Sequence, residues 1–128
     1  HHDYDVRMIY SLCLYLMSAL YILAGFNHFR APAFYLKIMP PWIPLHREMV
    51  FLSGAVEVAL GVLLLIPETR SISAWVLILM LLIFMSVHIY MVQERHTVFA
   101  HIPEWLIWAR LPLQLVLIAW AYAYTIKA

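Results

Sequence analysis

Charge and cysteine are what this sequence lacks. Asp, Glu, Lys and Arg make up 12% of its 128 residues and 66% are hydrophobic, where soluble domains carry roughly 25% charged and about 45–50% apolar residues. With a mean hydropathy of +0.86, too few polar groups remain to coat a water-facing globule. That excludes a soluble enzyme, a nucleic-acid-binding module and a disordered region. The net charge of +1 supplies no general attraction for an anionic partner, so nucleic acid is not expected. A single cysteine, Cys13, excludes an intrachain disulfide framework, a CxxC redox pair and a thiolate-rich zinc site.

Long apolar runs are what it has. A membrane-crossing helix needs about 20 mostly apolar residues, and four segments qualify: 8–26, 49–66, 72–92 and 105–126. Every backbone amide in hydrocarbon must be satisfied internally, so these runs predict an all-α fold, a four-helix transmembrane bundle with both termini on one side. The chain then reads as one membrane domain, 8–126, after an N-terminal segment, 1–7. His1 and His2 are read as the remnant of a tag, and no cleavable signal peptide is evident. Trp42, Trp75, Trp105, Trp108 and Trp120 fall near the span ends, where indoles favour the interface. Pro67-Glu68-Thr69-Arg70-Ser71 reads as a tight turn between the second and third spans. Pro32, Pro40, Pro41 and Pro44 stop any long helix between the first two, although 33–39 is predicted as a short helix lying on the bilayer. Arg7, Arg70 and Lys127 lie on the termini side, against Arg30, Lys37, Arg47 and Arg95 on the loop side. This weak bias, discounting Arg30 and Arg47 as site residues, puts the termini in the cytoplasm.

Only Glu57 and Arg110, of fifteen charged residues, fall inside the spans. Buried charges in a membrane are costly and face a partner or a cavity, and the opposite signs predict a pair. At 1.5 Å per residue, Glu57 lies roughly 12–13 Å from the loop side, Gln114 about 13 Å, Arg110 about 8 Å and His88 about 6 Å. Arg110 and Gln114 share a helix face as i and i+4, with Pro112 between them. On the first span, Ser11, Ser18, Gly25 and His28 form a small, polar stripe. Ser53, Gly54, Glu57 and Gly61 form another on the second, a small face that permits close helix approach. All four spans thus direct polar groups into the loop-side half of the interior. The candidate pocket is His28, Glu57, His88, Arg110 and Gln114, with Asn27 and Ser53 beside them; the glycines are expected to leave space, and Trp42 or Phe29 to stand at its mouth. The alternative is a structural clamp in which Glu57 and Arg110 only hold helix register. A metal site from His28, His88 and Glu57 has no HxxxH or HxxE spacing among those residues to support it, no motif supports haem, and neither is expected. His96 and His101 read as solvated loop residues.

These same residues carry a resemblance to the DoxX-like family of small four-helix membrane proteins. It rests on Ala24-Gly25-Phe26-Asn27-His28-Phe29 with Pro32, on Ile38-Met39-Pro40-Pro41-Trp42-Ile43-Pro44, on 53–61 with Pro67, and on Arg110-Leu111-Pro112-Leu113-Gln114 before Trp120. The second-span pattern is also similar to that of a eukaryotic relative, a membrane chaperone for acetylcholine-receptor assembly. The resemblance implies the four-helix fold and an association with redox systems, and the reading places the chain in a bacterial inner membrane. The lone cysteine departs from any thiol-redox scheme.

Three functions follow. The first is a binding or accessory subunit whose pocket holds a quinone-like lipophilic molecule, partnered by the bilayer and by another membrane protein or redox subunit. The second is an assembly factor whose polar residues are structural. The third, a proton or solute path, is weakened by the absence of a visible inverted repeat. Catalysis by this chain alone is not expected.

Overall fold

The computed structural model describes residues 2–126, all helix and connection, with no strand among the described residues. Five helices follow one another: α1 (His2–Arg30), α2 (Pro32–Lys37), α3 (His46–Leu64), α4 (Pro67–Gln93) and α5 (Glu104–Tyr122). α1, α4 and α5 are long and apolar enough to cross a membrane. α3 matches α5 at 19 residues but carries Arg47, Glu48 and Glu57. The chain is a membrane protein: leucines 12, 16, 20 and 23 of α1 are 45–67% exposed, and Leu79, Leu82 and Ile83 of α4 and Leu113, Leu115 and Val116 of α5 are also exposed. Water would not tolerate so continuous an apolar surface on a monomer; lipid favours it.

The helix ends are set by local chemistry. Asp3 and Asp5 open α1 and His28 and Arg30 close it, each sign complementing the dipole at its end. The segment before residue 8 is therefore helical from His2, whereas His1 and Lys127 lie outside the described residues. The expected turn at 67–71 is instead the first turn of α4. Pro67 sits at its first position, where a missing N–H costs nothing. The real connection is Leu65-Ile66, and α4 caps the helix before it. Arg70 Nε donates to Leu64 O at 2.7 Å and Nη2 to Leu65 O at 3.2 Å, while Thr69 Oγ1 donates to Leu63 O at 2.8 Å. The short helix expected at 33–39 is α2, and the last span ends at Tyr122 in turns rather than continuing to 126.

α1 packs on α3, α3 on α4 and α4 on α5, and α2 lies against α1 and α3. The α1–α3 seam is the closest. Ser18 Oγ hydrogen-bonds Gly61 O, and Gly25 faces Gly54, so positions seven apart on one helix meet positions seven apart on the other in antiparallel register. A Cβ at Gly25 would fall 2.5 Å from Gly54 O, and one at Gly61 would fall 2.9 Å from Ser18 O. The glycines therefore bring two backbones together, the close approach expected of the small face on α3, and they leave no space beside His28 and Glu57, contrary to the second expectation placed on them. Two apolar clusters form the core. One joins Leu14, Met17, Leu60, Leu64, Leu77, Leu81 and Ala121; the other, Ile38, Met91, Phe99 and Ile107, lies under the loops.

Candidate functional site

Between those clusters lies a cavity of about 270 Å³ to which all five helices contribute. α1 supplies Ala24 and His28, α2 Phe34 and Tyr35, α3 Val50, Ser53 and Glu57, α4 Phe84, Val87 and His88, and α5 Arg110; Ile38 and Met39 close the loop end. Five of the seven sequence-predicted residues (His28, Ser53, Glu57, His88 and Arg110) thus line one space.

His28 is held on both nitrogens. Nδ1 is 2.9 Å from Val50 O and Nε2 is 2.8 Å from Glu57 Oε2, with both side chains buried. A carbonyl oxygen accepts only, so Nδ1 carries a hydrogen. Two lone pairs facing each other at 2.8 Å would repel, so the contact calls for a proton on one of the two groups, although its alignment falls short of a hydrogen bond. With that proton, on either group, the dyad carries no net charge. The Tyr35 ring stacks on the His28 ring, centroids 3.9 Å apart, and Asn27 Nδ2 donates to Tyr35 Oη at 2.7 Å. Asn27 Oδ1 in turn accepts from Arg30 Nε at 3.0 Å. Asn27 is thus a strut outside the cavity that fixes the lid ring over His28. Gln114 is buried and donates to Leu81 O at 2.8 Å, across the α4–α5 contact beside His88. It orients the wall and is not itself among the lining residues.

The expected Glu57–Arg110 ion pair does not form directly. Glu57 faces α1 and takes His28 as its partner, and among the described residues no carboxylate lies within 4.0 Å of the Arg110 guanidinium. Arg110 Nε and His88 Nδ1 are both buried without a hydrogen-bond partner, and so is Glu57 Oε2, whose 2.8 Å approach to His28 Nε2 lacks the alignment of a hydrogen bond. More than nine in ten buried polar groups in native proteins are paired, so three such atoms on the wall of one cavity need an explanation. Trp42 and Phe29 do not frame the cavity as expected. Trp42 packs edge-on against Tyr90 and Phe29 stacks on Phe51. Phe34 and Tyr35 of α2 take that place.

Tyr35 and Tyr21 were not singled out in the sequence. Tyr21 shares the α1 face of Ser18, Gly25 and His28, and its buried hydroxyl has no partner. Spacing within that stripe was the available signal. Among the described residues no three His, Cys, Asp or Glu side chains converge to hold a metal ion. The second loop is a separate clamp, with Arg95 Nε 2.9 Å from Glu104 Oε1 and its guanidinium over Trp108.

The family described as a domain of unknown function (DUF8561) matches residues 17–125, a stretch that holds every cavity-lining residue. No curated protein and no solved structure matches the chain. The match takes in well over half of the sequence, and the chain belongs to that family.

Proposed function

We propose that this member of the DUF8561 family crosses the bilayer four times and holds the oxygen-bearing head of a lipophilic molecule in the loop-end cavity, as a binding or accessory subunit of a membrane system. α3 serves as the fourth span. Its Arg47 and Glu48 sit in the first turn at headgroup level, its outward residues Leu52, Ala55, Ala59 and Val62 are apolar and exposed, and Glu57 is turned inward and neutralised. The observation that carries the binding role is the pair of orphaned polar atoms, Arg110 Nε and His88 Nδ1, on the wall of an otherwise apolar cavity. A bound oxygen acceptor satisfies Arg110 Nε, and His88 Nδ1 as well in the tautomer that carries its hydrogen there. A quinone-like carbonyl is one such head, in keeping with the DoxX-like stretches and the redox association they imply. A purely structural role for these residues, as in an assembly factor, calls for polar groups packed against one another, and the open volume beside Arg110 weighs against it.

Filling the cavity tests the reading. Val87→Phe places a ring where ligand would lie, at a half-buried position on the wall. Native mass spectrometry of the protein released from membranes should show a co-purifying lipophile on the wild type and none on Val87→Phe, with thermal stability unchanged or raised as cavity filling commonly does. Equal lipophile on both proteins would refute the site.

A further inference from the structure

The charge balance of the cavity goes beyond its shape. Its ionisable walls are His28, Tyr35, Glu57, His88 and Arg110. Glu57 is balanced inside the dyad by the proton that its 2.8 Å approach to His28 Nε2 calls for, whichever of the two groups holds it. That leaves the guanidinium, about 9 Å along α5 from its first residue, as the one fixed charge without a counter-charge on these walls. Arg110 Nε is fully buried without a partner in the chain. An uncompensated cation at this depth is costly unless a partner arrives from outside the chain.

We infer that the occupant is an amphipathic anion: an apolar chain ended by a small negatively charged head, a carboxylate or a phosphate ester. This inference rests on the cavity reading above and specifies its ligand. The planar guanidinium offers parallel donors to two oxygens of one head, and the unpartnered His88 Nδ1, in the tautomer that carries its hydrogen there, adds a third contact on the same wall. Ala24, Phe34, Ile38 and Val87 face the first carbons of the chain. At ~30 Å³ for each water-sized group, 270 Å³ holds about nine heavy atoms, enough for a carboxylate and some six methylenes, with any longer tail running out among the lipids. A neutral head leaves the guanidinium unpaired and binds more weakly.

The test uses the full chain in nanodiscs of zwitterionic phosphatidylcholine, melted with decanoate, decyl phosphate, methyl decanoate, a short-chain quinone or inorganic phosphate. Decanoate or decyl phosphate should raise the melting temperature saturably, and the stronger of the two identifies the head. Methyl decanoate, which has the same chain without the charge, should bind at least tenfold more weakly, the loss expected for a charge-assisted contact of about 1.4 kcal/mol or more. Arg110→Gln should abolish the preference and Arg110→Lys should retain part of it. The wild-type comparison of acid with ester stands alone if Arg110→Gln fails to fold. Ester or quinone binding as tightly as the acid overturns the anionic head and leaves the cavity reading intact. Inorganic phosphate binding as tightly as decyl phosphate overturns the apolar chain. No shift with any chain-bearing compound overturns the cavity reading and this inference together.

Discussion

Glu57 shows how partner choice separates two accounts of the same side chains. If Glu57 and Arg110 were a closed buried pair, removing either partner would strand a charge at a cost of about 3–5 kcal/mol. With Glu57 against His28 at 2.8 Å, the costs differ. Glu57→Gln should be mild, because a neutral His28 still donates to Val50 O from Nδ1 and its Nε2 accepts the new amide proton. Glu57→Ala should be severe, since it leaves the buried Nε2 unpaired. In double-mutant cycles read by thermal melting, His28 and Glu57 should couple by about 1–3 kcal/mol and Glu57 and Arg110 by less than about 0.5 kcal/mol. Strong coupling of Glu57 to Arg110 would restore the ion pair and remove the basis for an anionic ligand. Depth and end were legible in the sequence, as the shared cavity of Glu57, Arg110 and both histidines attests. Counting opposite signs predicted Glu57 against Arg110, directly or through one water, and missed His28 as the direct partner because it ignores which side of the helix a residue occupies. Glu57 stands three residues after Gly54 and four before Gly61, and His28 three after Gly25, so the two polar residues ride on the two small stripes that pack together.

The α1–α3 seam reverses the usual sign of a glycine substitution. In an exposed helix Gly→Ala gains up to about 1 kcal/mol from propensity alone. At Gly54 the new Cβ would fall 2.6 Å from His28 Cβ and 2.8 Å from Gly25 O, and backbone cannot move aside without parting the helices. Overpacking of this kind costs about 1–3 kcal/mol, which exceeds the propensity gain. Gly54→Ala should therefore lower the melting temperature in detergent and perturb the His28–Glu57 contact. Ser18→Ala, which removes one hydrogen bond to Gly61 O, should cost only about 1 kcal/mol. A Gly54→Ala protein as stable as wild type would mean that the helices do not approach so closely. The sequence pattern announced the seam through its seven-residue spacings and its small faces suited to close approach; what it left open was whether the same glycines also spare space for a ligand, because absent side chains mean either a void or a contact until the facing helix is known. The 65–71 segment was ambiguous in the same way. Proline followed by polar residues reads as a turn, yet Pro67 at a first helical position and Arg70 reaching back to Leu64 and Leu65 make it the start of α4.

How many times the chain crosses the bilayer decides whether the cavity lies within it, and α3 is the helix on which that number turns. α1, α4 and α5 qualify as spans by length and composition. α3 has 19 residues, about 28 Å at 1.5 Å per residue, nearly the ~30 Å of the hydrocarbon core. It also runs antiparallel along α1, with Ser18 against Gly61 and Gly25 against Gly54. A helix lying flat on the membrane could not hold both pairs at once if α1 crosses. Four crossings put the α3–α4 turn on the side of the N-terminus, and the second loop on the side of α2. Three crossings, with α3 on the surface, exchange those two assignments. Single cysteines at the exposed positions Asp5, Lys37, Glu68 and Thr97, introduced into a Cys13→Ala background, distinguish the cases with a membrane-impermeant maleimide on sealed vesicles. Asp5→Cys and Glu68→Cys should label together from one face, and Lys37→Cys and Thr97→Cys together from the other. Glu68→Cys labelling with Lys37→Cys, and Thr97→Cys with Asp5→Cys, would remove α3 from the bilayer and bring the His28–Glu57 dyad out to the headgroups, where neither the proton it holds nor the unpaired Arg110 would require a ligand.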